Sequence, residues 1–499
     1  MLILIMNIKE IFSTIYEVSK KENVNVYAVG GHVRDLLLKR RVKKDIDFVV
    51  VGSGLEFAKK FEIEYEGEGT LIEFPDFDTA RFVFTRTMDL KVEEPEKTFD
   101  ENQIKKEKLF EIEFAGARTE KYDENSRKPQ VVATDLKTDL ERRDFTVNAM
   151  ARKVMASGLS KKIEDPFDGQ KDLAKKILRT PLDPDVTFSE DPLRMLRATR
   201  FASQLNFEIE KKTYLALEKN KERLKIISAE RIQEEFMKLL STPKPSVGLW
   251  ILYETGLLKM FLPEVCDLWG VEEVYGHTHK NNLDHTFKVV DNLAERSNNT
   301  LLRYAALMHD IGKPGTKKFI KGRGWAFDMH EHLGRKTVRI IGKRLRMSKS
   351  DTEYVAKLVR WHQQPIALMD EGITDSPVRR LVVNLGDDLE DLLTLCRSDI
   401  TTGNPKKLEK RLKNYDVLEI RIAEVLEKDK LRAFNSPVHG EEIMEMCNLK
   451  PGPTVGRIKK ALEEAILDGK VENDYQKVKE YFFTIKDEYM QSVQEWEKN

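Results

Sequence analysis

Apolar positions at helical spacing, Ile8, Ile11, Ile15 and Val18, predict an amphipathic helix over residues 8–21. The β-branched run VNVYAV that follows stops at Gly30-Gly31, so a strand enters a glycine turn. HVRDLLLK then predicts a helix, KRRVKK a basic loop, and DIDFVVVG a buried strand. Further strands are expected at TLIEF (70–74), ARFVFT (80–85) and EIEF (111–114), with an acidic, lysine-rich segment at 91–108 between the last two. From about Phe145 onward strand signals nearly vanish and helical periodicity dominates. It is broken at DPFDG (165–169), TPLDPD (180–185), STPKPS (241–246), KPG (313–315) and NSP (435–437). The pattern predicts an α+β chain, with a mixed α/β head followed by an elongated all-helical part.

Composition narrows this picture. At roughly 100–200 residues per domain the chain holds about three or four domains. Lys+Arg and Asp+Glu both number 85, so no global field attracts a polyanion, and any nucleic acid must meet local basic patches. RKTVRIIGKRLRMSK (335–349) and PKKLEKRLK (405–413) are the strongest of these. The N-terminal MLILIM has no basic flank or cleavage site and is too short to span a bilayer, so no membrane association is expected. Cys266, Cys396 and Cys447 never form a CxxC pair, which argues against disulfides and thiolate zinc and for a reducing, cytoplasmic setting.

The densest chemistry lies in GGHVRD followed closely by DID. Gly30 and Gly31 let the backbone approach a ligand and aim amides at phosphate oxygens where a helix begins, and Arg34 adds a charge-assisted contact. Strand periodicity puts Asp45 and Asp47 on one face, two hard oxygen ligands suited to magnesium bridged to a triphosphate. Glu113, in EIEF, can supply a third carboxylate from a neighbouring strand. That is the donor set of metal-assisted phosphoryl transfer.

VYAVGGHVRDLLLKRRVKKDIDFVVVG, DLERRDFTVNAMA (139–151), DPFDGQKDL (165–173) and SEDPLRMLRATRFASQLNF (189–207), taken in this order, resemble the class II tRNA nucleotidyltransferases, the CCA-adding enzymes and their bacterial poly(A) polymerase relatives. The resemblance extends through GHTHKNNLDHTFKVVDNL (276–293) to PGPTVGRIKKALEEAILDGKVEN (451–473), whose helix is similar to the tail that supports the tRNA elbow. It implies that Arg142 and Arg143 help hold the incoming nucleotide and that Asp144 accepts a hydrogen bond from its ribose. It also implies that Asp191 and Arg194, three apart and expected on one helix face, imitate a Watson–Crick edge that fits cytosine and adenine. Arg197 and Arg200 continue that row. The polar segment 116–131, expected to be strand-poor, aligns with the loop such enzymes use in switching from cytidine to adenosine addition. FPDFDTARFVF stands where the poly(A) polymerases carry a basic, aromatic signature, which favours CCA addition.

Seven of the nine histidines fall between positions 277 and 362. Imidazoles with carboxylates make sites for manganese, iron, nickel or cobalt. The order His285, His309-Asp310, His330, His362 and Asp399 resembles HD-domain phosphohydrolases. That resemblance implies one divalent transition metal on His285, His309, Asp310 and Asp399, a second on His330 and His362, and Lys313 on a phosphate. His277, His279 and His332 are read as non-ligands. Candidate substrates are 2′,3′-cyclic phosphates and phosphate monoesters at RNA ends.

The expected division is a nucleotidyltransferase head at 1–152, a helical neck and body carrying the base template at 153–275, an HD domain at 276–415 and a tRNA-contacting tail at 416–499. The expected reaction is attack of a tRNA 3′-hydroxyl on the α-phosphate of CTP and then ATP, with pyrophosphate leaving. Asp45, Asp47 and Glu113 would be catalytic, with Mg2+ on the first two; Gly30, Gly31, Arg34, Arg142, Arg143, Asp144, Asp191, Arg194 and Arg197 would bind the nucleotide. Rival readings are a poly(A) polymerase or adenosine-only adding enzyme, and an HD phosphohydrolase as the main activity.

Overall fold

The computed structural model of the protein describes residues 2–40, 45–87, 106–121, 130–274, 277–278, 281–369, 374–429, 436–491 and 493–497. Part of the basic loop (41–44), most of the segment 91–108, the stretch 122–129, His279 and Asn435 lie outside these residues. The chain divides into two compact units, Met1–Leu239 with Val247–Phe261 and Leu240–Ser246 with Leu262–Asn499.

The first unit is built on a seven-stranded sheet of order β3-β4-β5-β2-β1-β8-β9. Its strands are β1 (Asn25–Val29), β2 (Asp45–Val51), β3 (Gly69–Phe74), β4 (Thr79–Thr87), β5 (Lys106–Gly116), β8 (Ala151–Met155) and β9 (Gly158–Leu159). Every pairing is antiparallel except β2 with β5. Pleat alternation divides β2: Ile46, Phe48 and Val50 are buried, while Asp45 and Asp47 face out. The apolar face is covered by α1 (Leu2–Lys21) and α3 (Gly54–Glu64), through Ile11, Phe12, Ile15, Phe57 and Phe61. Phe48 stacks on Phe114 at 5.4 Å and meets Phe12 edge-on at 6.0 Å. On the other face Val49 packs with Val29, Ala117, Leu140, Ala149 and Ala151, which fastens residues 140–151 beside the two aspartates.

Three expectations fail here. Segment 116–131 is not strand-poor: β6 (Arg118–Lys121) pairs with β7 (Gln130–Ala133) as a hairpin. β6 is polar, and Val131, Val132 and Ala133 of β7 are apolar without alternation, Val132 being half exposed, so no strand period announces the hairpin. Strands also persist past Phe145, because β8 adds to β1 with Lys153 opposite Tyr27 and Arg152 opposite Ala28. β8 lies between β1 and β9 and buries only Ala151 and Val154, a pattern too sparse to announce a strand. At KPG (313–315) the chain makes a short helix, Lys313–Thr316, with the proline in its first turn, where a missing N–H costs nothing.

In the second unit, helices Asn282–Ala294, Thr300–Met308, His330–Arg344, Lys349–Trp361 and Leu389–Ser398 pack around Phe287, Val290, Leu302, Leu307, Ile341 and Val359. Arg303 is buried there and donates to the carbonyls of Leu240 and Thr242, each at 2.9 Å. Toward the C-terminus, helices Gly440–Cys447, Pro453–Leu467 and Tyr475–Met490 share a core of Ile443, Ile458, Leu462, Val478 and Phe482. No helix among the described residues is long and apolar enough to cross a membrane.

Candidate active site and metal centre

The carboxylates come together by register. β2 and β5 run parallel with Asp47 opposite Glu113 and Asp45 opposite Glu111. Glu113 is held by Arg81 of β4 at 3.0 Å. Crowding by protein raises the Asp47 pKa, and Glu113 raises it further; Arg143 works against both. A carboxylate held against ionisation in this way is one a cation stabilises. Before them runs the turn at Gly30, where φ is +69° and an added Cβ would sit 3.3 Å from Arg143 Nη1 and 3.8 Å from Asp47 Oδ2. Glycine is required there by conformation and by space. The turn opens α2 (Gly31–Leu37).

A cleft of about 550 Å³ opens over this turn, lined by Asp45 and Asp47, by Arg142, Arg143, Asp191, Arg194, Arg197 and Arg200, and by residues the sequence reading did not single out: Asn148, Phe201, Arg231, Glu235 and Lys238. Eight cationic side chains face five carboxylates in it, a balance suited to a polyphosphate carrying its metal. Arg34 lines the cleft but is buried and committed: it donates to Asp35 at 2.8 Å and to Asn148 Oδ1 at 2.7 Å. Asp144 is likewise engaged, accepting from Arg197 at 2.5 and 2.9 Å, from Asn148 at 3.0 Å and from the Phe145 amide at 2.8 Å. Burial alone would raise the Asp144 carboxyl; Arg197 and these donors hold it at about 2. Three arginines surround one ring, Arg200 at 4.1 Å, Arg34 at 5.2 Å and Arg197 at 5.4 Å from the Phe201 centroid.

Asp191 and Arg194 do not share a helix face as the three-residue spacing suggests. The helix is Leu193–Leu205, with Pro192 ahead of it, and Asp191 ends the preceding helix in an extended conformation. Its carboxylate accepts from the Leu193 amide at 3.2 Å. The Arg194 guanidinium donates to the Arg142 carbonyl at 2.7 Å and the Thr187 carbonyl at 3.3 Å, and it pairs with Glu190 at 3.5 Å. The two side chains still line the same cleft. Proline breaks the helix between them, and spacing alone hid that.

In the second unit the six expected ligands converge. His285, His309 and Asp399 form one group of donors, and Asp310, His330 and His362 another. Asp310 faces both groups: Oδ2 lies 3.1 Å from His309 Nε2 and 3.6 Å from His285 Nε2, beside the expected four, and Oδ1 lies 3.5 Å from His330 Nε2 and 3.9 Å from His362 Nε2, so it stands between the expected pair and the rest. Nδ1 of His309, His330 and His362 sits 2.7, 2.8 and 2.8 Å from the carbonyl three residues earlier. A carbonyl only accepts, so each Nδ1 carries the proton and each Nε2 lone pair points inward. Nε2 of His330 and Nε2 of His362 are 3.3 Å apart, and two lone pairs at that distance repel unless a cation or proton lies between them. His309 Nε2 is buried without an aligned hydrogen bond. These residues fit a divalent metal. His332, partly exposed, stands outside the cluster. Lys313 contacts Asp310 at 2.5 Å, and a cavity of about 330 Å³ beside the cluster is lined by Asn282, His285, Lys313, Phe327, Asp399, Thr401 and Arg411. Arg411 belongs to the 405–413 basic stretch, so one cation of a patch read as RNA-facing lines this cavity.

The first unit thus presents paired carboxylates under a cation-rich cleft, the layout of a phosphoryl-transfer site. A family model described as the Poly A polymerase head domain matches residues 26–73 and 77–179, one described as a probable RNA- and SrmB-binding site of polymerase A matches 206–268, and the HD domain matches 282–396. The chain is 32% identical over 347 residues to an A-adding tRNA nucleotidyltransferase of Deinococcus radiodurans, covering 68% of this chain and 76% of that one. It is 35% identical over 346 residues to a multifunctional CCA protein of Neisseria meningitidis, covering 68% and 72%. In fold it is similar to a Bacillus stearothermophilus CCA-adding enzyme crystallised with CTP (TM-score 0.59, 22% identity, 96% of this chain and 98% of that one). It is also similar to a Thermotoga maritima CCA-adding enzyme complexed with tRNA (TM-score 0.54, 19% identity, 95% of each chain). The chain belongs to the family of class II tRNA nucleotidyltransferases and bacterial poly(A) polymerases, in its HD-bearing form. Both the head and the HD domain of this family work with divalent metals.

Proposed function

We propose that this protein adds nucleotides to the 3′ end of tRNA, completing CCA from CTP and ATP and releasing pyrophosphate. The observation that carries this reading is the pair Asp45 and Asp47, set side by side on β2 under a cleft rich in arginine. Asp45 and Asp47 would hold Mg2+, which supplies charge neutralisation at the α-phosphate and lowers the cost of ionising the attacking hydroxyl. Glu113 stands next to Asp47 as the third carboxylate. Arg142 and Arg143 bind the triphosphate, and the Gly30 turn lets it approach the backbone. Asp144, already fixed by Arg197, turns what remains of its acceptor capacity toward the ribose. Arg194, whose remaining N–H groups face the cleft, and Asp191 present donor and acceptor to the base. The residues act chiefly by positioning and charge. Division of labour then follows the expected segments: head 1–152, template-bearing body 153–275, HD domain 276–415 and tail 416–499.

The assay is incorporation of labelled CTP and ATP into a tRNA transcript lacking its 3′ end. Two cytidines and one adenosine per tRNA is the expected product. A second reading, addition of the terminal adenosine only, is favoured by likeness to the A-adding enzyme of Deinococcus radiodurans; it predicts label from ATP on a transcript ending in CC and none from CTP on one ending before it.

We also propose that the histidine cluster holds transition metal and hydrolyses phosphoesters at RNA 3′ ends, with Lys313 on the phosphate. Three inward Nε2 lone pairs with their Nδ1 protons tied to carbonyls support it. Elemental analysis together with hydrolysis of a 2′,3′-cyclic phosphate substrate tests it.

A further inference from the structure

Asp139 is fully buried, in α4 (Leu136–Glu141), and is not among the residues that line the head cleft. Its two oxygens are divided between two guanidiniums. Oδ1 accepts from Arg142 Nη2 at 2.9 Å and Nε at 3.3 Å; Oδ2 accepts from Arg143 Nη2 at 3.1 Å and Nε at 3.3 Å. Oδ1 also receives the backbone N–H of Arg118, the first residue of β6, at 3.4 Å. Each arginine is therefore gripped by one side of its fork, through Nε and Nη2. For Arg143 the Nη1 atom lies beside the Gly30 turn.

Two arginines adjacent in sequence repel each other and ordinarily spread into solvent. A carboxylate that takes one on each oxygen fixes their separation and direction before any ligand arrives. Despite burial, which alone would raise it, the Asp139 pKa is lowered by Arg143 and Arg142, so the group is ionised when it does this. The charge left over is positive and aimed at the cleft.

We propose that Asp139 is the positioning residue of the nucleotide site: it touches no substrate, and it presets Arg142 and Arg143 as a rigid pair for the triphosphate. This rests on the reading that those arginines hold the nucleotide.

The experiment uses the full-length protein and measures CTP binding at equilibrium, KM and kcat for CTP on a truncated tRNA, and thermal midpoint. Asp139→Asn keeps the shape but turns an acceptor into a donor facing an arginine; we expect CTP affinity to fall by about tenfold or more, with KM rising more than kcat falls. Added to Arg142→Ala plus Arg143→Ala, the same change should weaken CTP binding no further. It should also raise the thermal midpoint of that background, since the carboxylate is then buried without its partners. Wild-type affinity in Asp139→Asn, or an additional loss in the triple variant, overturns the proposal. Wild-type affinity in both single arginine variants overturns the nucleotide reading itself, and this inference with it. Should Asp139→Asn not fold, Arg142→Lys and Arg143→Lys decide: lysine keeps the charge but cannot be gripped by a fork. A loss matching that of alanine supports preset geometry, and affinity within about twofold of wild type refutes it.

Discussion

In the head, Asp45 and Asp47 stand open to a cleft whose lining includes seven arginines. In the second unit, Asp310 is enclosed and touched by four histidines and a lysine, and Asp399 by two of those histidines. The first arrangement pairs Glu113 and Asp144 with arginines but, among the described residues, keeps permanent cations near and off Asp45 and Asp47, which suits a metal that arrives with a polyphosphate and leaves with pyrophosphate. The second turns inward the Nε2 atoms of imidazoles whose Nδ1 is tied to carbonyls, which suits a metal that displaces the His309 proton and stays. Burial pushes His362 down to about 3, whereas Asp310 overcomes burial to push His309 up to about 9. Identical side chains are thus driven apart within one cluster, as happens where donors are packed for a cation.

The largest effect that tests this contrast is removal of a head carboxylate. Asp45→Ala or Asp47→Ala should reduce nucleotide incorporation by about 10²-fold or more, since one well-placed charge-stabilising group is worth that much. Metal retained after dialysis, measured by elemental analysis, should not change, because it resides in the other unit. Near-normal incorporation in either variant breaks the assignment.

Next is the double variant His309→Ala plus Asp310→Ala. It should lose bound transition metal and phosphoester hydrolysis while keeping nucleotide addition with magnesium. A resident metal stabilises the native state by about 2.7 kcal/mol at a hundredfold excess over its Kd. Thermal scans with and without added manganese should therefore separate wild type from the variant. A variant that keeps its metal refutes the cluster; one that stays folded but cannot add nucleotides refutes independence of the two sites.

How far the sequence revealed these sites depends on whether the signal was local. Asp45 and Asp47 were legible because pleat alternation is strictly local, and the histidines because their clustering is improbable without a ligand. The β6–β7 hairpin and β8 were not, since β6 is polar in sequence and β8, lying between β1 and β9, buries only Ala151 and Val154. Asn148 and Phe201 lay inside quoted motifs, but nothing in their spacing says that Asn148 joins Arg34 to Asp144 or that Phe201 gathers three arginines. Arg231, Glu235 and Lys238 come from a helix remote in sequence and carried no signal.

A smaller effect is expected at Arg194. Arg194→Ala leaves the Arg142 and Thr187 carbonyls without this donor, which costs about 1–3 kcal/mol of stability, read as a lower denaturation midpoint. If its free N–H groups read the base, the preference for CTP and ATP over UTP and GTP should also drop by about tenfold or more. Preference unchanged at reduced stability would make Arg194 a structural residue and place base reading elsewhere.

The smallest effect separates the two regions by pH. Asp144 and Asp399 are both held near 2, the first against Arg197 and the second chiefly through its hydrogen bond to His285. A carboxylate with a depressed pKa adds stability that is fully present above its unfolded value of 3.8 and is lost as pH falls toward about 2. Asp144→Asn should therefore cost about 2 kcal/mol between pH 5 and 8 and nothing near pH 2. Arg197 stays charged throughout that range, so the difference between wild type and variant should be flat above about pH 5. Asp399→Asn, by contrast, should show a difference that also depends on added metal at neutral pH, because its partners are the metal's own donors. Urea denaturation of both variants at pH 3, 5 and 7, with and without manganese, reads this directly. A metal-dependent difference at Asp144, or a metal-independent one at Asp399, would show that the two regions balance their charges in the same way after all.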